Sequence, residues 1–235
     1  MVPHRVVLKL SGESLAGSTR WGIDLKALFR IAKDIKSAHL KHVQIGVVVG
    51  GGNIWRGGRD LGLELDRVIA DNMGMLATII NALALQDALE QVHIHTRVLS
   101  AMEVAKVAEP FIRRRAIRHL EKGRVVIFAA GTGNPYFSTD TAAALRAVEI
   151  GADLLLKATH VDGIYSDDPR KNPKATRFET LSFQQAIQKK LRIMDTSALA
   201  LCQENRMPVR VFDMHKAGNI QKAICGAKIG TLLSS

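Results

Sequence analysis

The stretch VQIGVVVGGGN, residues 43–53, joins a run of apolar, mostly β-branched residues to three consecutive glycines. A short, continuous run rich in valine and isoleucine is typical of a strand buried on both faces, as in a parallel sheet. Glycine permits positive φ and leaves no side chain between the backbone and a ligand. Since ligands of parallel α/β sheets bind beyond the carboxyl ends of the strands, we expect Gly50–Gly52 to bind phosphate. Arg56 would add a forked cationic contact to the phosphate oxygens. A mobile turn is the alternative, but such a turn rarely follows so apolar a strand.

Strand-like and helix-like segments alternate on both sides of this stretch. The strand-like segments are Arg5–Leu10, Val43–Val49, His93–Leu99, Arg124–Ala129, Asp153–Ala158, Val209–Phe212 and Thr231–Leu233. The helix-like segments are Leu25–Leu40, Asp66–Gln91, Thr139–Ile150, Ser182–Lys189, Asp195–Asn205 and Asn219–Cys225. Met102–Glu121 is expected to hold helices broken at Pro110, and Val161–Thr180 a hairpin and loop. The alternation predicts an α/β fold, a three-layer sandwich whose mostly parallel central sheet carries helices on both faces. We expect one domain over residues 1–235.

Residue composition and the N-terminal sequence limit the classes of protein to which the chain can belong. The chain has 235 residues, 47% of them hydrophobic, which is enough for a large core. It has no run of about 18 uncharged apolar residues, and its N-terminus has no signal-peptide pattern. Cys202 and Cys225 lie far apart and away from any histidine cluster, so reduced thiols are expected rather than a disulfide or metal site. These features predict a cytoplasmic protein that does not enter a membrane.

The formal net charge of +11 would attract polyanions, which include nucleotides, phosphate esters and nucleic acids. The densest basic run is Arg113–Arg115, for which a solvated helix face is the simplest explanation. A nucleotide-sensing or nucleic-acid-binding module is the alternative. Nucleic acid is not the expected partner, because no zinc finger, basic zipper or RNA-binding aromatic motif accompanies the run and the glycine loops would be left unexplained.

Two further loops have features of anion sites. Lys9-Leu10-Ser11-Gly12 places a cation beside a turn whose backbone N–H groups can face an anion. In Ala130–Asp140, two glycines permit a tight loop, and Ser138 and Thr139 are candidate caps at a helix N-terminus that can bind an anion. Capping and compensation of the helix dipole would by themselves explain Asp140.

A fourth loop, residues 157–169, has the side chains of a nucleoside site. Tyr165 can stack on a purine ring, while Thr159 and Asp168 can hydrogen-bond the base or ribose. Asp162-Gly163 is also a common turn pair, so a plain hairpin is the alternative.

Several nucleotide-binding and catalytic motifs do not occur in the sequence. It has no G-x-x-x-x-G-K-[ST] and no helix-opening G-x-G-x-x-G, which excludes a P-loop kinase and the dinucleotide fingerprint. The H-R-D and D-F-G motifs of protein kinases and the G-x-S-x-G elbow of hydrolases are also missing.

Taken in order, the loops resemble the amino-acid kinase superfamily and, within it, the bacterial uridylate kinases. The resemblance covers essentially the whole chain, from Val7–Glu13 to Gly230–Leu233. Its most specific strings are GGGN at 50–53, DNMGMLAT at 71–78, GTGNP at 131–135 and VRVF at 209–212.

The resemblance implies an enzyme that transfers the γ-phosphoryl group of ATP to UMP in pyrimidine nucleotide biosynthesis, with Mg²⁺ accompanying ATP. It assigns ATP binding to Lys9, Leu10, Ser11, Gly12, Gly52, Arg56, Thr159, Tyr165 and Asp168. It assigns UMP binding to Gly51, Asp71, Thr132, Gly133, Asn134, Pro135, Tyr136, Phe137, Ser138 and Thr139. Lys9, Arg56, Asp140 and Asp195 are the catalytic candidates, and no protein metal ligand is implied.

The family also binds an allosteric purine nucleotide at the place matched by Gly17-Ser18-Thr19-Arg20-Trp21-Gly22. GTP is therefore a possible activator and UTP a possible inhibitor. Arg20 stands where glycine is common, and Trp21 replaces a frequent phenylalanine. Family likeness suggests a homohexamer, in which the apolar face of Asp66–Gln91 would serve either as a dimer contact or as core.

The nearest rival is a superfamily kinase that acts on a carboxylate or carbamate. A carboxylate kinase needs a cationic clamp for an amino-acid substrate, and the sequence does not place one. The UMP phosphate is already ionised near neutral pH, so positioning and charge stabilisation by Lys9 and Arg56 would suffice without a strong base.

Overall fold

The computed structural model describes residues 2–19, 21–56, 65–167, 169, 171–172, 174–189, 191 and 193–235. The strands are β1 (Arg5–Leu10), β2 (Gln44–Val49), β3 (Thr96–Ser100), β4 (Glu109–Pro110), β5 (Val125–Ala129), β6 (Leu154–Thr159), β7 (Ile164–Tyr165), β8 (Arg177–Phe178), β9 (Thr180–Ser182), β10 (Val209–Asp213) and β11 (Thr231–Ser234). The helices are α1 (Leu25–His39), α2 (Arg67–Gln91), α3 (Arg113–Glu121), α4 (Thr139–Glu149), α5 (Phe183–Gln188), α6 (Thr196–Glu204) and α7 (Asn219–Ile224), with a 3₁₀ helix at Gly12–Leu15.

Nine of these strands form one sheet, in the order β4-β3-β5-β2-β1-β6-β10-β11-β9. Every pairing in it is parallel except that of β10 with β11. The separate antiparallel pair β7–β8 is the hairpin expected within residues 161–180. The predicted α/β fold with a mostly parallel sheet is confirmed.

The two faces of the sheet carry different helices, because successive side chains of a strand point to opposite faces. Val6, Leu8 and Leu10 of β1 pack in one apolar cluster with residues of α1, α2 and α7. Val7 packs in the other, with residues of α3, α4 and α6. Lys9 follows the same alternation as Val7 and therefore points toward the side of α4.

The carboxyl ends of β1, β2, β5, β6 and β10 meet at one edge of the sheet, since these strands run parallel. Every loop in which the sequence predicts a ligand contact leaves this edge. In the strand register, Lys9 of β1 lies opposite Lys157 of β6, and Lys157 lies opposite Val211 of β10. The register thus places two lysines side by side on one face.

The expectation of helices on both sides of Pro110 is wrong. Within residues 102–121, α3 is the only helix. Residues 103–108 form turns and irregular backbone, and Glu109–Pro110 form the edge strand β4. Proline disfavours helical geometry in the residue before it and lacks a ladder donor, which suits an edge strand. The basic run lies on α3 as expected, with Arg113 to Arg115 exposed.

α2 is long and apolar enough, by length and composition alone, to cross a membrane. The core helix of a soluble protein passes the same test, and Ala82, Leu85 and Leu89 of α2 are buried against the sheet. Ile69, Leu76 and Ile80 of the same helix are about half exposed. The helix therefore contributes to the core and also presents an apolar stripe.

Candidate active site

A cleft of about 300 Å³ opens at the carboxyl edge of the sheet, between the loops after β2 and β5 and the first turns of α2 and α4. We call it the first cleft. Its lining includes the predicted site residues Gly51, Gly52, Arg56, Asp71, Thr132, Asn134, Phe137 and Thr139. The structure thus brings the second and third predicted loops together.

Glycine occupies these loop positions for different physical reasons. A Cβ on Gly12 would lie 2.5 Å from Asn53 Oδ1 and 2.6 Å from the Gly52 nitrogen, and a Cβ on Gly51 would lie 2.7 Å from the Gly74 carbonyl oxygen. Close contact between neighbouring loops therefore requires Gly12 and Gly51. Among the described residues, none comes within 4 Å of a Cβ placed on Gly52. Gly52 lines the first cleft, and no described residue fills the space beside it.

A buried ion triad lies next to the first cleft. Asp140, in the first turn of α4, has its Oδ1 2.8 Å from Lys9 Nζ and its Oδ2 2.5 Å from Lys157 Nζ. The three side chains are only 11–14% exposed. Ser138 caps α4 by accepting from the Asp140 and Thr141 backbone nitrogens, which leaves the Asp140 carboxylate to the two ammonium groups.

Electrostatics in the triad favour the charged form of Asp140. Burial opposes its ionisation, but Lys9 and Lys157 outweigh burial and hold the pKa of Asp140 below its usual value. Burial lowers the pKa of Lys157, and Lys9 lowers it further, while Asp140 acts in the opposite direction. Two ammonium groups share one carboxylate, so the triad favours an arriving anion.

Asp195, another catalytic candidate, joins two helices rather than contacting the lysine pair directly. Its carboxylate caps α6 by accepting from the Ala198 nitrogen at 2.9 Å, and it accepts from the Thr141 hydroxyl at 2.8 Å. The hydroxyl of Ser138 also donates to it. Burial, followed by the charges of Asp140 and Asp195, raises the pKa of the Cys202 thiol to about 12. This thiol is therefore expected to stay protonated at neutral pH.

Asp71 fastens the loop after β5 to α2. Its Oδ2 accepts from the Tyr136 backbone nitrogen at 2.7 Å and from Arg67 Nε at 2.8 Å. The Arg67 guanidinium lies 5.4 Å from the centre of the Tyr136 ring. Tyr136 and Phe137 are 66% and 54% exposed, so two aromatic rings stand open at the mouth of the first cleft.

The rest of that predicted loop is held by local contacts. Gly133 has φ of +84°, and a Cβ there would lie 3.0 Å from the Ala101 carbonyl oxygen. The Thr132 hydroxyl donates to the Asn134 carbonyl and accepts from the Asn134 nitrogen, both at 3.2 Å. Pro135 follows directly and is half-buried.

A second cleft of about 590 Å³ lies beside β7 and the loop after β6. Thr159 and Tyr165 line it, together with Gly163, Ser166, Lys171 and Lys189. The Tyr165 hydroxyl donates to Asp162 Oδ1 at 2.7 Å, which fixes the ring in the hairpin. The loop is therefore a hairpin that also lines a cleft, and its assignment as a nucleoside site stays a prediction. Asp168 lies outside the described residues.

Arg56 connects the first two predicted loops. Its Nε donates to the Gly52 carbonyl oxygen at 2.8 Å, and its Nη2 lies 3.0 Å from Glu13 Oε1. Leu10 is fully buried in the core, so only its backbone faces this region, where its carbonyl oxygen accepts from the Gly50 nitrogen. The Ser11 hydroxyl oxygen is buried with no hydrogen-bond partner among the described residues.

The segment matched to an effector site packs against the glycine loop. Gly22 donates its N–H to the Asn53 carbonyl oxygen at 2.8 Å, and the Asn53 side-chain amide donates to the Gly22 carbonyl oxygen at 2.7 Å. The Thr19 hydroxyl donates to the Trp21 carbonyl oxygen, and the Trp21 side chain is 53% exposed. Gly17 has φ of +59° and abuts the Asp24 carboxylate. Ser18 is exposed, and Arg20 lies outside the described residues.

Sequence reasoning missed three features of this site: Lys157, Arg67 and the buried Asn53–Asn81 pair. Lys157 is the largest omission, because it completes the ion triad. The sequence does contain a signal for it, because Lys9 and Lys157 are charged residues inside strands that are otherwise mostly buried and apolar. Only the strand register, however, makes the two lysines neighbours.

Comparison with known proteins agrees with this geometry. The model of the amino acid kinase family matches residues 4–213. The UMP kinase of Bacillus anthracis is 36% identical, with a TM-score of 0.95 over 100% of this chain and 97% of that chain. The UMP kinase of Ureaplasma parvum is 40% identical, with a TM-score of 0.94 over 100% of both chains. The uridylate kinase of Archaeoglobus fulgidus is 30% identical, with a TM-score of 0.74 over 97% of this chain and 99% of that chain.

Proposed function

Since this chain belongs to the amino acid kinase family, we propose that it is a UMP kinase that transfers the γ-phosphoryl group of ATP to UMP, giving ADP and UDP. One observation carries the proposal: two clefts open at one edge of the sheet, with the Lys9–Asp140–Lys157 triad between them. Asp140 directly follows Thr139 of the first cleft, and Lys157 is paired in register with Val211 of the second. The similarity to three uridylate kinases supports the same assignment.

We assign UMP to the first cleft and the nucleoside of ATP to the second. Asp71, the 132–139 loop and the two exposed rings supply polar and aromatic contacts for a uridine nucleotide. Tyr165 supplies a face for the purine, and Thr159 a hydroxyl beside it. The open backbone at Gly52 and the loop at Ser11–Gly12 then face the ATP phosphates between the clefts.

Charge stabilisation carries the mechanism, because phosphoryl transfer requires little covalent work from a protein. A phosphate monoester has its second pKa near 6, so the UMP oxygen is already a nucleophile at neutral pH. It attacks the γ-phosphorus as the bond to the β-phosphate oxygen breaks and ADP leaves. Lys9 and Lys157 offset the charge spread over the transferring oxygens, and Asp140 holds both ammonium groups in place. Asp195 positions the start of α4 through Ser138 and Thr141.

Mg²⁺ would enter with ATP rather than occupy a site made by the protein alone. Within the described ranges, no three His, Cys, Asp or Glu side chains converge as a metal site. The carboxylates nearest the reaction are engaged, Asp140 by two lysines and Asp195 by two hydroxyl groups. Mg²⁺ commonly keeps several waters and binds through substrate phosphates, where it would neutralise charge on the β- and γ-phosphates.

Several broader properties belong to the same proposal. We propose a single catalytic domain over residues 1–235, acting in the cytoplasm as a homohexamer. GTP would activate it through the segment Gly17–Gly22, and UTP would inhibit it. The half-exposed apolar stripe of α2, with Ile69, Leu76 and Ile80, supports its assignment as a subunit contact.

The deciding experiment is a coupled assay of ADP release in the presence of ATP and Mg²⁺. UMP, CMP, aspartate, N-acetylglutamate and carbamate are compared as acceptors, each with and without GTP and UTP. UMP-dependent ADP formation is expected. A rate that depends on carbamate or a carboxylate and not on UMP would move the chain to another branch of the family. Salt-sensitive binding to DNA or RNA without turnover would instead favour the nucleic-acid alternative.

A further inference from the structure

Two buried asparagines hold the glycine loop, and the catalytic assignment uses neither of them. Asn53 follows the three glycines, Asn81 lies in the middle of α2, and both side chains are 0% exposed. The Asn53 amide nitrogen donates to Asn81 Oδ1 at 3.0 Å, and the Asn81 amide nitrogen donates back to Asn53 Oδ1 at 2.6 Å. A buried amide is costly unless its donors and acceptor are all partnered.

The remaining donors of the pair reach two different backbone segments. The Asn81 amide nitrogen also donates to the Gly50 carbonyl oxygen at 2.8 Å. The Asn53 amide nitrogen also donates to the Gly22 carbonyl oxygen at 2.7 Å, while the Asn53 carbonyl oxygen accepts from the Gly22 nitrogen at 2.8 Å. Residue 53 therefore engages both backbone polar groups of Gly22.

Asn53 also sets the spacing to the loop after β1. Its Oδ1 lies 2.5 Å from the position of a Cβ on Gly12, so Gly12 is packed directly against it. One side chain thus lies against three segments: the loop after β1, the helix α2 and residue 22. Since each member of the pair must donate and accept at once, aspartate and leucine cannot replace either one.

We propose that Asn53 and Asn81 are positioning residues for the phosphate-binding loop Gly50–Gly52, and that Asn53 couples Gly22 to that loop. The assignment of phosphate to the loop rests on the proposed function, whereas the coupling rests on the hydrogen bonds alone. Among the hydrogen bonds of the described residues, Asn81 reaches Gly22 through Asn53. A substitution at Asn81 is therefore expected to weaken the hydrogen bonds between Asn53 and Gly22.

Amide hydrogen exchange on the full chain tests the coupling without any substrate. The variant Asn81→Ser is compared with Leu85→Ala, which removes fully buried apolar atoms one turn further along α2. The reporters are the amides of Gly22, Gly50 and Ile54, which donate to Asn53, Leu10 and Gly51. The global cost of each substitution is removed by dividing each rate by that of a core amide of β5 in the same variant. On this scale, loss of about one hydrogen bond in Asn81→Ser is expected to speed exchange of the reporters roughly tenfold relative to Leu85→Ala. Equal exchange at Gly22 in the two variants would overturn the coupling.

A measurement on the wild-type protein tests the proposal even if Asn81→Ser fails to fold. The side-chain NH₂ protons of Asn53 and Asn81 are expected to exchange slowly with solvent, as only a buried and fully bonded pair would. Fast exchange of these protons would contradict the proposal directly.

Kinetics then separate positioning from general destabilisation. Well below the Tm of both variants, Asn81→Ser is expected to raise KM for ATP more than KM for UMP and to lower kcat, while Leu85→Ala leaves both KM values unchanged. Unchanged kinetics in Asn81→Ser, with an active wild type, would remove the positioning role. A wild type that does not phosphorylate UMP would instead refute the proposed function, and the exchange data would still decide the coupling.

Discussion

The two clefts beside the Lys9–Asp140–Lys157 triad are built from different parts of the chain. The first cleft is lined by four glycines and by side chains of α2 and of the loops after β2 and β5, and its glycine loop is held by two buried amides. The second cleft is formed by side chains of a short hairpin, of the segment that follows α5, and of the strands β6 and β10. Substitutions at the packed glycines beside the first cleft should therefore act mainly through backbone position and stability. Substitutions at the second should act through the loss of individual contacts with the nucleotide.

The largest expected effect on turnover comes from a substitution in the triad, which lies between the two clefts. Lys9→Ala removes one of two ammonium groups held by Asp140, and kcat should fall roughly 10²-fold or more, on the scale of losing one oxyanion-type donor. KM values and Tm show whether the variant still folds and binds. Near-normal turnover would remove Lys9 from the mechanism and leave Lys157 as the sole lysine of the reaction.

Asp71→Asn probes the side of the first cleft that depends on a charge rather than on glycine. The amide keeps an acceptor for the Tyr136 nitrogen but loses the ion pair with Arg67, and charge-assisted hydrogen bonds are roughly twice as strong as neutral ones. We expect KM for UMP to rise about tenfold with KM for ATP unchanged. Steady-state kinetics with each substrate varied checks this, and an unchanged KM for UMP would contradict the assignment.

The sequence predicted many residues that line the two clefts but not the contacts that hold the triad and the glycine loop, for a physical reason. Apolar β-branched strands and glycine triplets are local signals, and parallel strands bring the loops that follow them to one edge. Lys157 and the Asn53–Asn81 pair depend on contacts between residues far apart in the chain, which no local pattern specifies. The region before α3 was predicted wrongly, because an edge strand at Pro110 replaced the expected first helix.

Tyr165 tests whether the second cleft works through single side-chain contacts. Stacking of a base on an aromatic ring contributes about 1–3 kcal/mol, so Tyr165→Ala should raise KM for ATP roughly tenfold. Tyr165→Phe keeps the ring and loses only the hydrogen bond to Asp162, and it should stay close to wild type. An equal rise in KM for ATP in both variants would mean that the hydroxyl, and not the ring, contributes to binding.

Two glycines separate backbone packing from ligand access within the first cleft. Gly12→Ala places a methyl group 2.5 Å from Asn53 Oδ1, and overpacking of this kind typically costs about 1–3 kcal/mol. Gly52→Ala places its methyl group beside the cleft, where no described residue lies within 4 Å. Thermal unfolding should show a lower Tm for Gly12→Ala alone, while Gly52→Ala should raise KM for ATP at unchanged Tm. The reverse pattern would refute the distinction.

An alkaline loss of activity, which is expected to be small near neutral pH, distinguishes the triad from both clefts. Lys157 must be protonated to stabilise the transferring phosphoryl group, and its pKa is lowered by burial and by Lys9 from the ordinary 10.5. Turnover should therefore fall as pH rises through a midpoint below 10.5. The stability contribution has the opposite sign: between the two pKa values the unfolded chain binds more protons, so this group alone makes the fold more stable as pH rises. Lys157→Arg keeps its charge throughout this range, so its residual activity should lack the alkaline fall. A fall that persists in Lys157→Arg would assign the titration to another group.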